Sequence, residues 1–269
     1  MSSSIRKAAV RGVFYPKSCQ EITSVIGMFN DAFNTIDIDL RVLHITPQAV
    51  IVPHAGYIYS GFTANFAYRF LKQYSCKRII VIGPSHRHYF KGISGSFYDY
   101  YETPCRTLKI DHAYLDALKT VFDIGFEPKA HQKEHSTEVQ MPFVEHYFPS
   151  QKIIELIYGD ISAGELAKIL IALLDNPDNA IAISSDLSHY YPLDKAKKLD
   201  LSCMKAVESL DKHYLDEGCE ACGYRGIEAM ILAAKYRKLS STLLDYKTSA
   251  SASGDENSVV GYLSAMFYR

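Results

Sequence analysis

The run Ala49-Val50-Ile51-Val52-Pro53-His54-Ala55-Gly56-Tyr57-Ile58-Tyr59-Ser60-Gly61 constrains the fold more than any other stretch of the chain. Apolar, mostly β-branched residues end at a proline, a histidine stands where the run breaks, and small residues follow. This predicts a buried strand that delivers His54 at its carboxyl end. The pattern returns in Arg78-Ile79-Ile80-Val81-Ile82-Gly83-Pro84-Ser85-His86 and in Ala180-Ile181-Ala182-Ile183-Ser184-Ser185-Asp186-Leu187-Ser188-His189. Three strands from distant parts of the sequence each hand over a histidine. In an open α/β sheet, ligands bind in the crevice beyond the carboxyl ends of the strands, so the three histidines can converge there.

Helices are expected over about 20–33, 62–73, 194–210 and 223–236, and from a Ser162/Glu165 capping box to about residue 174. Asp111 is expected to cap a helix, with Ile110 packing on Leu115 as a hydrophobic staple. Further strands are expected at 92–96, 152–158, 241–247 and 259–267, and a mobile loop at 249–255. Strands alternating with helices predict an α/β sandwich around a mainly parallel central sheet. No stretch reads as a linker, so residues 1–269 are expected to form one domain.

The 48% hydrophobic content supports a globular core, and a net charge of −1 offers no electrostatic case for nucleic acid or an anionic membrane. No apolar run approaches the roughly 20 residues of a membrane span. The start Met1-Ser2-Ser3-Ser4-Ile5-Arg6-Lys7 lacks the apolar region of a signal peptide, so a cytoplasmic location is expected. Six irregularly spaced cysteines suggest no disulfide framework, and most are expected to be reduced.

Neutral imidazoles from different loops are suited to iron, copper or zinc. Cys222, just ahead of an expected helix, is a candidate thiolate ligand, because a helix amino end favours the anion. An inert buried cysteine and a Cys219/Cys222 redox pair are the alternatives. His131-Gln132-Lys133-Glu134-His135 matches the H-x-x-E-H pattern of inverted zinc proteases. However, Thr137-Glu138-Val139-Gln140 reads as a capping box that leaves the motif in a loop, and Pro142 strains the next turn. His135, with Glu134 or Glu138, is therefore expected to line the crevice. Asp186, three residues before His189, either orients that histidine as a general base or caps its loop.

Val52-Pro53-His54-Ala55-Gly56-Tyr57, Gly83-Pro84-Ser85-His86, Glu134-His135-Ser136-Thr137-Glu138, Ser184-Ser185-Asp186-Leu187-Ser188-His189 and Cys222-Gly223 together resemble the Memo-like family. Its bacterial and archaeal members are called AmmeMemoRadiSam system protein B. The resemblance extends from the Gly12-Val13-Phe14-Tyr15-Pro16 segment onward. It implies a fold similar to the class III extradiol dioxygenases, with His54 and His86 as metal ligands and His189 as the acid/base histidine. It also places Cys222 where those enzymes carry a glutamate. Tyr57, Glu134, His135 and Glu138 are separately expected as substrate-binding residues of the crevice. A thiolate ligand is soft and oxidisable, which favours Cu(I), zinc or a redox-active iron site over catechol ring cleavage. The family further implies radical-SAM and AMMECR-type pathway partners. Its animal members, described as binders of phosphotyrosine peptides, imply a non-catalytic binding module as the alternative to an enzyme acting on a small molecule.

Overall fold

The computed structural model describes residues 4–269; Met1, Ser2 and Ser3 of the polar start lie outside the described residues. Its strands are β1 (Ile5–Arg6), β2 (Ala49–Val52), β3 (Arg78–Pro84), β4 (Ile93–Gly95), β5 (Tyr100–Glu102), β6 (Thr107–Lys109), β7 (Ile124–Gly125), β8 (Lys152–Tyr158), β9 (Asn179–Ser184), β10 (His189–Tyr191), β11 (Ser240–Thr248) and β12 (Val259–Tyr268). One sheet runs in the order β10-β12-β2-β9-β3-β8-β4-β7, with β11 pairing β12, and β1-β5-β6 form a second, smaller sheet. The four central strands β2, β9, β3 and β8 are parallel, as expected. The flanks are antiparallel: β12 runs against β2, β10 and β11, and β4 runs against β8.

Side chains alternate across the pleat, so each central strand feeds two cores. Ala49 and Ile51, Ile80 and Ile82, and Ile154 and Leu156 face the helices Ala163–Asp175, Leu193–Ser209 and Tyr224–Arg237. Val50 and Val52, Ile79 and Val81, and Ile153 face Cys19–Asn34, Tyr57–Leu71 and Met141–Tyr147. Burial on both faces is why these strands read as continuous apolar runs rather than as alternating ones.

The Ser162/Glu165 capping box forms as expected, with both reciprocal hydrogen bonds present. Ser162→Ala is expected to cost about 1 kcal/mol, because it leaves an amide at the helix start without a partner. Thermal unfolding should show a drop of roughly 2–4 °C.

Four local expectations are corrected. The helix expected from residue 62 starts at Tyr57, because Pro53-His54-Ala55-Gly56 already completes the turn out of β2. Asp111 stands at the start of His112–Lys119 but makes no cap hydrogen bond. Its carboxylate instead accepts from Arg78 Nε at 3.0 Å and Lys152 Nζ at 3.1 Å, and Ile110 and Leu115 belong to opposite cores, so no staple forms. The 249–255 segment contains a helical turn, Ala250–Ser253. Disulfides join Cys19 to Cys105 and Cys203 to Cys219, contrary to the expectation of reduced thiols. Their spacing hides this, because the partners meet only when separate elements pack. Among the described residues Cys76 and Cys222 are free, so a Cys219/Cys222 pair is not formed.

Candidate metal centre

β2, β9 and β3 are parallel neighbours, so their carboxyl ends open on the same edge of the sheet. His54, Asp186 and His86 each stand two residues beyond one of these strands. Sheet order therefore brings together residues that are far apart in the chain.

His54 is only 2% exposed. Its backbone N–H donates to Asp186 Oδ1 at 2.7 Å, and its ring Nδ1 lies 2.9 Å from Ser184 Oγ. The Ser184 hydroxyl gives its one proton to the Ser136 carbonyl at 2.6 Å and accepts from Gln140 Nε2 at 3.0 Å. Ser184 must therefore accept from His54 Nδ1–H, and this tautomer leaves a lone pair on Nε2. Burial, together with the neighbouring histidines His86, His135 and His189, holds the His54 ring well below its ordinary pKa, so it is neutral.

His86 is held by one carboxylate. Its N–H donates to Glu134 Oε2 at 2.6 Å, and its Nδ1 lies 2.8 Å from Oε1. Glu134 Oε1 also accepts the backbone amides of His135 and Ser136 at 3.0 and 2.9 Å. Burial alone would raise this carboxyl, but the His86 hydrogen bond and charge and the surrounding amides outweigh it and hold the pKa at about 2. Against an ionised carboxylate Nδ1 donates, so the neutral form of the ring carries its lone pair on Nε2. Close packing of this loop requires Gly83: a Cβ there would sit 2.6 Å from Ser136 Oγ.

Cys222 comes from the opposite side, in the turn before Tyr224–Arg237. Its Sγ is 3.2 Å from His54 Nε2 and accepts the Asp186 amide at 3.3 Å. Gly223 permits this approach, since a Cβ there would lie 2.5 Å from Ser185 Cβ. The helix start was expected to favour the thiolate; burial, with the Asp186 carboxylate adding to it, pushes the thiol up instead. A cation at the site would reverse that balance.

The donor atoms of His54, His86 and Cys222 all lie within 4.8 Å of one another. Two imidazole nitrogens tied from behind and one sulfur suit a borderline or soft transition metal. His135 joins the group, its ring centroid 4.6 Å from that of His86 and 5.4 Å from that of His54. Burial, then the nearby His86, lowers its pKa to about 4. His189 lines an adjoining cavity of about 430 Å³ together with Glu220, Cys222 and Tyr224, and burial lowers its pKa as well.

Other expected site residues serve the scaffold. Asp186 does not pair with His189, because its carboxylate accepts the His54 amide. Burial pushes its pKa up to about 7 despite that bond. The Tyr57 hydroxyl is buried and donates to the Val139 carbonyl at 3.0 Å, so it does not line the crevice. Glu138 is fully buried and accepts from Arg6, the Ala9 and Val10 amides and the Tyr15 hydroxyl, anchoring the amino-terminal segment instead of a substrate.

The H-x-x-E-H reading also fails on geometry. His131 turns away from His135, with Nδ1 2.8 Å from Glu155 Oε2 and Nε2 2.8 Å from Ser94 Oγ. No capping box forms at Thr137, whose hydroxyl donates to Glu155 at 2.5 Å. Pro142 fits without strain in the first turn of Met141–Tyr147, where its missing N–H is not needed. Sequence reasoning missed Ser184 and Gln140, which set the His54 tautomer; the only local signal for Ser184 was a hydroxyl residue ending an otherwise apolar strand.

A family model described as Memo-like protein matches residues 6–266. A MEMO1 family protein of Methanobrevibacter smithii is 33% identical over 280 residues, covering 98% of this chain and 99% of that protein. One of Aquifex aeolicus is 31% identical over 275 residues, with the same coverage. The crystal structure of an uncharacterized protein from Escherichia coli K12 superposes with a TM-score of 0.51 at 14% identity, covering 81% of this chain and 98% of the other, and supports the α/β fold. Among the described residues no helix is long and apolar enough to cross a membrane. The near full-length family match and these relatives establish that the chain belongs to the Memo-like protein family.

Proposed function

We propose that this protein binds one transition metal ion, iron or copper with zinc as the competing alternative, through His54 Nε2, His86 Nε2 and Cys222 Sγ. The observation that carries the reading is the convergence of these three donors within 4.8 Å, each histidine with its other nitrogen already engaged. Iron or copper would supply Lewis acidity and one-electron redox chemistry, and zinc Lewis acidity alone, so with iron or copper bound a metal-dependent oxidoreductase acting on a small molecule is the best-supported activity. His189, its pKa lowered by burial, lines a cavity with Cys222 and serves as proton acceptor for a bound ligand. Glu134 and Ser184 orient the ligating imidazoles, and His135 closes the wall beside them. Radical-SAM and AMMECR-type proteins are the pathway partners this family membership suggests.

Protein purified without air is expected to hold close to one equivalent of iron or copper, and His54→Ala is expected to lose it. Because a thiol must deprotonate to ligate, titration of the apoprotein with metal should release the Cys222 proton, read as a buffer-dependent heat. Equal metal content in the wild type and His54→Ala would refute the proposal. Oxygen consumption with a catechol panel, abolished by His189→Ala, would support catalysis; a metal-loaded protein without turnover on any of them would favour a binding module.

A further inference from the structure

Tyr190, the residue after His189, is not explained by the metal cluster. Its φ is 63°, in the left-handed region. Among the described residues only Leu210 and Lys238 are other non-glycine residues with positive φ, and both end helices, where that conformation is common. Tyr190 ends no helix. It sits inside β10 at a register shift against Val259 and Val260 of β12. A bulge of this kind re-aims a side chain, and a residue with a Cβ adopts the left-handed conformation at a cost.

The strain gains little packing. The Tyr190 side chain belongs to a residue that is 76% exposed, and its ring centroid is 5.7 Å from that of His189. Ile58 and Tyr59, also exposed, follow His54 by four and five residues on the first turn of Tyr57–Leu71. His189 and Cys222 line one cavity, so the Tyr190 ring against His189 stands next to the cluster. Strained backbone that presents an aromatic face beside a site histidine fits a role in ligand contact.

We infer that Tyr190 is a specificity-determining residue that stacks on a planar aromatic ligand whose polar donor reaches the His54, His86 and Cys222 cluster. The inference rests on the metal-binding proposal for its anchoring end. Tyrosine suits the task, because it offers a flat face with few rotamers to freeze, and offset aromatic pairs are favourable beyond their buried area.

The test compares two probes with one metal-binding group, benzohydroxamate and acetohydroxamate, titrated by absorbance into iron-loaded wild type, Tyr190→Gly and Tyr190→Phe. Glycine takes a positive φ without strain, so Tyr190→Gly should fold with an equal or higher Tm and unchanged metal content. Benzohydroxamate binding should weaken about 3- to 10-fold in Tyr190→Gly, while acetohydroxamate binding stays the same and Tyr190→Phe behaves as wild type. An unchanged ratio between the probes overturns the inference and leaves the metal reading standing. Wild type that takes up no metal overturns the metal reading; benzohydroxamate added to ¹³C-tyrosine-labelled apoprotein then decides, and an unmoved Tyr190 signal overturns the inference too. A dimer in sedimentation that Tyr190→Gly dissolves would assign the ring to contact between two copies, also against the inference.

Discussion

Cys222→Ser is expected to weaken iron or copper binding by at least about 100-fold, since loss of even an outer-shell partner of a metal ligand typically costs 10- to 100-fold. The substitution keeps the size and a hydrogen-bonding atom at the position 3.2 Å from His54 Nε2, so the fold should survive. The change is one of chemistry: a soft sulfur that loses its proton to a metal becomes a hard hydroxyl that holds it. Copper(I) should suffer most, and the order of metal preference should move toward harder ions. Competition with a chromophoric chelator measures both effects, and retained Cu(I) affinity would remove Cys222 from the ligand set. The hydrogen-bonded supports of His54 and His86 are untouched in this variant, so circular dichroism and Tm should match wild type.

The largest stability effect is expected from Arg6→Met. Arg6 is buried, ion-paired to Glu138, donates to the Glu134 carbonyl at 2.7 Å, and lies 4.9 Å over the Tyr101 ring. Removing the guanidinium leaves Glu138 buried without its cation, which costs about 3–5 kcal/mol. For a chain of this size Tm should fall on the order of 10 °C. Arg6→Met combined with Glu138→Gln should recover part of the loss, because the stranded charge goes with its partner. The effect should reach the candidate site. Glu138 fastens the amino-terminal segment whose Phe14 ring packs 4.9 Å from that of His135, and Arg6 touches the loop that positions His86. A Tm within 2 °C of wild type would contradict this account.

Features governed by neighbours in sequence were legible without the fold. The strand 152–158 was expected at the residues it occupies, because an apolar run buried on both faces states its own length. The Ser162/Glu165 box formed because its hydrogen bonds span three residues. His54 and His86 were recognisable at strand ends, since an apolar run ending in polar residues marks the edge of a sheet; His189, expected at the end of the third such strand, instead opens β10, five residues past the end of β9.

What lies opposite a side chain is a property of long-range packing, and there the local signals misled. Asp186 looked like the partner of His189 from a three-residue spacing, yet β2 and β9 are neighbours, and that pairing puts the His54 amide within reach of its carboxylate. Glu138 and Tyr57 carried plausible site chemistry, but the amino-terminal segment claimed one and the Val139 carbonyl the other. The cysteine pairings arose from elements 86 and 16 residues apart in sequence. The sequence by itself determined the α/β pattern, the parallel central strands and the residues able to ligate. Tertiary structure alone decided that β2, β9 and β3 lie side by side, and this adjacency brings two histidines to one edge of the sheet, where Cys222 meets them.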